Sequence, residues 1–333
     1  MAKKIKDNDY LYITAYLRAK ENGLLNRDRV ERMLNAKTAN DAAKVLEECG
    51  YGDLSDVTVS RLNESIDKKR ADVMKDLSSS VPDAGVLDVF RVKYDYHNAK
   101  TLIKSEAMET NPEPLLSDAG RYGTDELTAA YFRDDLSGFS DTFKSSVAEA
   151  KETLARTGDP QIADFILDKA YFNEFISLAE GTGSKFLAGY GRLMIDSFNL
   201  CAAARCARMK KDAKFLERVI ADGGNIGKEE LLERLAAQEP ISAVFSKTDF
   251  KAASELADSV AEGGSFTEFE KQCDAVLKRY LQGASNVTFG PEVLISYLCS
   301  VENELSDARV IITGKLSGLS SDDIRARIGS YEK

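Results

Sequence analysis

Apolar residues recur three and four positions apart along most of the chain, the spacing that lines one face of an α-helix. Val89, Val92, Tyr96, Ala99 and Leu102 with Ile103 follow it on one segment, and Leu187, Tyr190, Met194 and Phe198 on another. Strict alternation bounded by hairpin dipeptides is scarce, so strands are not expected. Pro82, Pro112, Pro114, Pro160, Pro240 and Pro291 fall mostly in polar or turn-like stretches, where they punctuate helices instead of breaking them. The pattern predicts an all-α protein.

A polar pattern is superimposed on this apolar one, and it repeats. Residues 89–104, VFRVKYDYHNAKTLIK, align with residues 190–205, YGRLMIDSFNLCAAAR, at one constant offset. Arg91 meets Arg192, Asp95 meets Asp196, Asn98 meets Asn199, and Lys104 meets Arg205. The common form is R-x3-D-x2-N-x5-[KR]. A weaker third copy, SVENELSDAR at 300–309, places Glu304 and Asp307 at the acid and amide positions, with Ser300 at that of the arginine.

A second element follows each such segment. GRYGTDEL (120–127) and GNIGKEEL (224–231) share a glycine, an apolar third residue, a second glycine and acids beyond it. GLLNRDRV (23–30) fits with Asn26 at the fourth place, and SGLSSDDI (317–324) with Ser317 at the first. These read as chain reversals into helix starts: Gly, Asn or Ser caps orphan amides, and acids in the next turn suit the positive end of the dipole. The segment after the reversal also recurs, 25–51 resembling 226–250 with a short gap.

The repeat is thus about a hundred residues long. Two complete units are expected at 57–158 and 159–258. A third, 259–333, would be closed by residues 1–56 at the beginning of the chain. Termini that jointly finish one unit suggest three similar helical domains in a roughly threefold, closed arrangement.

Arginine and aspartate four residues apart share a helix face, with the asparagine one turn further on. Exposed, such a pair contributes only about 0.3–0.5 kcal/mol. Buried, losing one partner costs ~3–5 kcal/mol. Arg91, Asp95, Asn98, Arg192, Asp196, Asn199, Arg205, Glu304 and Asp307 therefore read as a structural polar ladder fixing the packing of each unit. The alternative is a polar surface lining a central cavity. An enzymatic reading would rest on Asp95, His97 and Asn98. But His97 is the one histidine in 333 residues, and its counterpart is Phe198, which cannot perform acid–base chemistry.

Composition narrows the remaining possibilities. Hydrophobic residues make up 43% and charged residues 30%, a globular balance, and the net charge of −10 argues against a phosphate-tracking nucleic-acid surface. No apolar run approaches the ~20 residues of a membrane span; VLISYLCSV (293–301) is the longest candidate. The N-terminal segment lacks a cleavage-site pattern and reads as a mature helix. Cys49, Cys201, Cys206, Cys273 and Cys299 form no metal-binding spacing and are expected to be reduced thiols. GTGSKFLAGYG (181–191) lacks the spacing of a nucleotide loop, and no catalytic, cofactor or metal site is expected. One concentrated basic run, RCARMKKDAKFLER (205–218), is a solvated helix face or a docking patch for an acidic partner, with Arg208, Lys210, Lys211 and Lys214 as the candidates.

With these residues in view, the chain resembles the C subunits of the V-type (A/V-type) rotary ATPases, and is similar to the d subunit of the eukaryotic vacuolar enzyme. The stretches at 10–53, 90–106, 193–212 and 215–235 and the closing segment from Tyr297 carry the resemblance, over essentially the full length. It implies a funnel of three helical domains and a non-catalytic rotor component. Such a component sits on the membrane proteolipid ring at the cytoplasmic face and receives the coiled-coil shaft protein with its small companion. The competing expectation is a helical-repeat scaffold for an unrelated protein partner.

Overall fold

In the computed structural model, which describes residues 6–328, sixteen α-helices and three 3-10 turns occur and no strand is found among the described residues. In chain order the helices are α1 Leu11–Glu21, α2 Arg27–Asn35, α3 Ala39–Glu48, α4 Val59–Ser78, α5 Ala84–Ala107, α6 Thr124–Phe132, α7 Asp141–Thr157 and α8 Pro160–Gly181. They continue with α9 Lys185–Arg208, α10 Ala213–Val219, α11 Lys228–Ala236, α12 Ile241–Val244, α13 Lys251–Ala261, α14 Phe266–Gln282, α15 Pro291–Leu316 and α16 Ser321–Arg325. The all-α expectation holds.

Local chemistry sets many of the boundaries. Thr38, Thr58, Ser140, Ser184 and Asp212 each accept a backbone N–H from the first turn of the helix they precede. Pro160 and Pro291 occupy the first position of α8 and α15, where a missing N–H is harmless, and Pro240 immediately precedes α12. Gly158 ends α7 at φ +66°, a left-handed cap that suits glycine. The glycine-rich GTGSKFLAGYG spans the end of α8, a left-handed Gly183 and the Ser184 cap of α9, as a helix start would.

The chain forms two compact bodies. One runs to Ala84 and resumes at Leu281; the other is Gly85–Tyr280. In the first, called the terminal body, α15 packs against α1, α3, α4 and α16. Leu17, Leu46, Leu62, Ile66, Leu294, Leu298, Ile311 and Ile312 are among its fully buried side chains, and each such burial contributes ~1.5–3 kcal/mol. In the second, the middle body, α7 packs on α8, α8 on α9, and α9 on α13. Tyr96 of α5 meets Phe143 of α7 and Tyr171 of α8 edge-on, with ring centroids 5.3 and 6.1 Å apart.

The long helices α5, α9 and α15 bury residues on several faces, so a single apolar stripe does not describe them. On α5 the predicted positions Val89, Val92, Tyr96, Ala99, Leu102 and Ile103 are all buried. On α9 Leu187, Gly191, Ile195, Asp196 and Asn199 are buried, as are Leu193 and Leu200, while Tyr190, Met194 and Phe198 are only half-buried. Of the four predicted positions only Leu187 is buried, and apolar spacing alone misses Asp196 and Asn199, two buried side chains that are polar.

Candidate functional site

The repeated acid and amide of each long helix hold the reversal that follows in the repeat. In α5, Asp95 and Asn98 are 0% exposed, and in α9 Asp196 and Asn199 are each 1% exposed. Positions i and i+3 share a helix face, so each pair reaches one loop. Asp95 Oδ1 accepts the backbone N–H groups of Arg121 at 2.8 Å and Tyr122 at 3.4 Å. Asn98 closes a two-way bond with Ser117, donating Nδ2 to its carbonyl at 2.9 Å and accepting its N–H at 2.8 Å.

The second copy repeats this atom for atom. Asp196 Oδ1 accepts from the N–H groups of Asn225 at 2.9 Å and Ile226 at 3.4 Å, while Asn199 exchanges bonds with Ala221 at 3.0 and 2.9 Å. Buried loop backbone requires such partners, and here two side chains supply them. The ladder and the reversal, two motifs in the sequence, are one device in space.

The close approach also accounts for the first glycine of the reversal. A Cβ on Gly120 would lie 2.5 Å from Asp95 Oδ1, and one on Gly224 2.3 Å from Asp196 Oδ1. The third copy is built differently. Glu304, buried in α15, reaches one residue further and accepts Leu25 N–H at 2.6 Å, with its other oxygen taking the Tyr51 hydroxyl at 2.9 Å. The corresponding Gly23 is free of the carboxylate; its nearest neighbour would be the Lys20 carbonyl at 3.3 Å. Asp307 is buried beside it on α15. The fourth reversal, at Ser317, is a helix end: Leu319 N–H reaches the Gly314 carbonyl, Gly318 is left-handed, and Ser320 caps α16.

The arginines do not join the ladder. Arg91 pairs with Asp88 at 3.7 Å, and exposed Arg192 pairs with Glu180 at 2.9 Å. The expected Arg–Asp pair four residues apart therefore fails in both copies: the carboxylate is turned inward to the loop while the arginine stays nearer solvent. Exposed Ser300 breaks nothing, because it occupies a position facing out. The last basic position does recur as a helix-to-helix tie. Lys104 of α5 meets Asp164 at 2.7 Å and Arg205 of α9 meets Glu270 at 2.8 Å, the acids being the fifth residues of α8 and α14. Both pairs are substantially exposed and contribute little to stability.

Arg121, the second residue of the reversal, turns the first clamp into a charged network. Its Nε donates to Asp95 Oδ2 at 2.6 Å and its Nη2 to Glu174 Oε1 at 2.9 Å, while the Tyr96 hydroxyl donates to Glu174 Oε2 at 2.8 Å. Burial pushes the Asp95 carboxyl up to about 6, with Arg121 and the amides opposing the rise. The two carboxylates pull Arg121 upward against its burial. The second clamp is neutral at this place: Asn225 Nδ2 donates to Asp196 Oδ2 at 2.7 Å. Burial raises Asp196 and Glu304 as well. Sequence reasoning missed Arg121, Glu174, Tyr96 and Tyr51. The signal for Arg121 was available, since a polar residue stands second in both glycine-bounded reversals.

His97 points away from all of this. It is exposed, with Nε2 3.0 Å from the Leu115 carbonyl, so that nitrogen carries the proton. In the basic run, Arg208 donates to the Gly264 carbonyl at 3.1 Å and lies over the Phe266 ring, while Lys211 lies over Phe215. Lys210, Lys211 and Lys214 are exposed. No cluster of acids, histidines and cysteines able to hold a metal occurs among the described residues, and no described helix is long and apolar enough to cross a membrane.

Residues 13–327 match the family described as ATP synthase (C/AC39) subunit. The chain is 24% identical to the C subunit of the V-type sodium ATPase of Enterococcus hirae, over 96% of this chain and 98% of that one. It is 24% identical to the C subunit of the A-type ATP synthase of Halorubrum lacusprofundi, over 95% and 96% of the two chains. The corresponding A-type ATP synthase protein of Pyrococcus furiosus is 21% identical, over 92% and 86%.

Proposed function

The chain belongs to the ATP synthase (C/AC39) subunit family, and from that premise we propose that it is the non-catalytic central-stalk subunit of a V/A-type rotary ATPase. In this role it couples the soluble rotor shaft to the membrane proteolipid ring, during ATP-driven ion transport or ATP synthesis. Its partners are the coiled-coil shaft protein with its small companion on one side and the ring on the other, at the cytoplasmic face. It reaches the bilayer through the ring.

The observation that carries this reading is the family match across almost the whole chain, which includes all three clamps. A torque coupler must not yield between its helices. Loops tied to helices by buried carboxylates and amides resist such yielding, because opening one exposes several unpaired polar groups at once. We assign Asp95, Asn98, Asp196, Asn199 and Glu304 this structural role, in preference to lining a cavity. The same geometry supports three repeat units at 57–158, 159–258 and 259–333 with 1–56. In the third, Glu304 grips Leu25, near the start of the chain, as Asp95 and Asp196 grip the loops that follow their own helices.

The test is reconstitution. The chain should co-purify with the shaft and ring proteins, and omitting it should abolish ATP-driven ion transport while the soluble head still hydrolyses ATP. Ion transport that persists without it overturns the proposal.

A further inference from the structure

Between α7 and α8, with Arg218 of α10 at one side, lies a cleft of about 650 Å³. Its cations are Arg156, Lys169 and Arg218, against a single lining carboxylate, Glu149. None of the three cations has an ion pair among the described residues; Lys169 only reaches the Glu217 carbonyl, at 3.5 Å. In a chain of net charge −10 the three cations make this cleft a locally basic site. Burial and the neighbouring Lys228 ammonium both lower the Lys169 pKa, with Glu149 and Glu217 only partly opposing them. The cleft has a local excess of positive charge that an anionic ligand would complement.

The α7 wall, which carries Arg156 as well, adds hydroxyl groups to the cleft. Ser145, Ser146 and Thr157 spend their hydroxyl protons on the carbonyls of Thr142, Phe143 and Thr153 in their own helix. Thr157 Oγ1 already accepts the Asp159 N–H at 3.2 Å and Ser146 is buried, so exposed Ser145 is the hydroxyl with acceptor capacity left for the cleft. A peptide brings both halves, an amide N–H for that hydroxyl oxygen and carboxylates for the cations. Length points the same way. The α7 wall runs from Thr142 to Thr157, ~22 Å at the helical rise. An extended chain of about six residues spans ~20 Å.

We propose that the α7–α8 cleft docks an extended acidic segment of another protein, with its carboxylates on Arg156, Lys169 and Arg218 and a backbone amide on the Ser145 hydroxyl. Three probes test this on the full chain by fluorescence anisotropy: a capped, labelled hexapeptide carrying three glutamates, its three-glutamine counterpart, and inorganic pyrophosphate as competitor. The acidic peptide should bind at least tenfold more tightly than the glutamine peptide, and more weakly as salt rises. Arg156→Gln with Arg218→Gln, both at exposed positions, should weaken it at least tenfold without lowering Tm, whereas Arg91→Gln should leave it unchanged. Arg156→Glu with Arg218→Glu should instead select a three-lysine hexapeptide, a gain that misfolding cannot produce. Equal binding of the glutamate and glutamine peptides overturns the proposal. So does a double variant that binds normally, and so does pyrophosphate binding in the absence of peptide binding, which would mark a phosphate site.

Discussion

The clamps of α5 and α9 share a plan and differ in one residue. Asp95 and Asp196 make the same backbone bonds, but the side chain closing the second carboxylate oxygen is Arg121 in one and Asn225 in the other. The charged version recruits Glu174 and Tyr96 from outside the clamp; the neutral one stays local. The repeated function is holding a loop, and it needs only a buried acceptor. The charge is an elaboration of one copy. Both clamps lie in the middle body, so the same unfolding transition reports on both.

The largest separation should come from removing the acids. Asp95→Ala strips a partner from the buried guanidinium of Arg121 and should cost ~3–5 kcal/mol. Asp196→Ala leaves two amides and the uncharged Asn225 unpaired, and should cost ~1–3 kcal/mol. Urea unfolding measures both. Equal costs would mean that Arg121 relaxes fully onto Glu174, and the charged network would then add nothing.

Glycine substitutions come next. Gly120→Ala and Gly224→Ala drive a Cβ against a fixed carboxylate oxygen and should each cost ~1–3 kcal/mol. Gly23→Ala, where the acid is the longer Glu304 gripping the next residue, should cost clearly less. The cause can be isolated: in an Asp95→Ala background the penalty of Gly120→Ala should largely vanish, a coupling that a double-mutant cycle reads directly. Additive costs would place the strain elsewhere in the loop.

A finer test uses asparagine in place of each acid. Asp196→Asn keeps one oxygen for the two amides, and Asn225 can rotate its own amide to accept the new N–H. Arg121 has no acceptor to offer, so Asp95→Asn leaves two donors facing each other. Asp95→Asn should therefore be less stable than Asp196→Asn by about 1–2 kcal/mol. The reverse order would show that burial of charge outweighs loss of the arginine bond.

The helical architecture was legible because periodicity and punctuation act locally: Pro160, Pro291 and the Ser and Thr caps shape helix ends wherever they occur. The polar core of the clamps was legible for a different reason, since a position repeated at one offset reveals a requirement without revealing its partner. The partner was not legible. Arg91 and Asp95 share a helix face in projection, yet the carboxylate serves amides 26 and 27 residues away in sequence. Helix spacing states which side chains are neighbours and not which way they turn. Backbone donors left over in a tight loop decide that, and they carry no mark in the sequence. The Arg121–Glu174 contact, 53 residues apart, depends on helix packing alone.

The smallest effect is expected at His97, where the two copies differ most in chemistry. His97 is exposed and holds one bond to a surface turn, whereas Phe198 at the matching place packs on Phe172 with centroids 4.7 Å apart. Copying the second unit into the first by His97→Phe removes that single exposed bond and leaves the neighbouring clamp atoms untouched. Stability should stay within about 0.5 kcal/mol, and ATP-driven transport in a reconstituted complex should be unchanged. Loss of transport in a variant that melts normally would mean the histidine carries chemistry of its own and would return an enzymatic role to Asp95 and Asn98. A drop well beyond about 0.5 kcal/mol with transport intact would instead make the Leu115 turn part of the clamp, tied down from outside as Asn98 ties Ser117 from within.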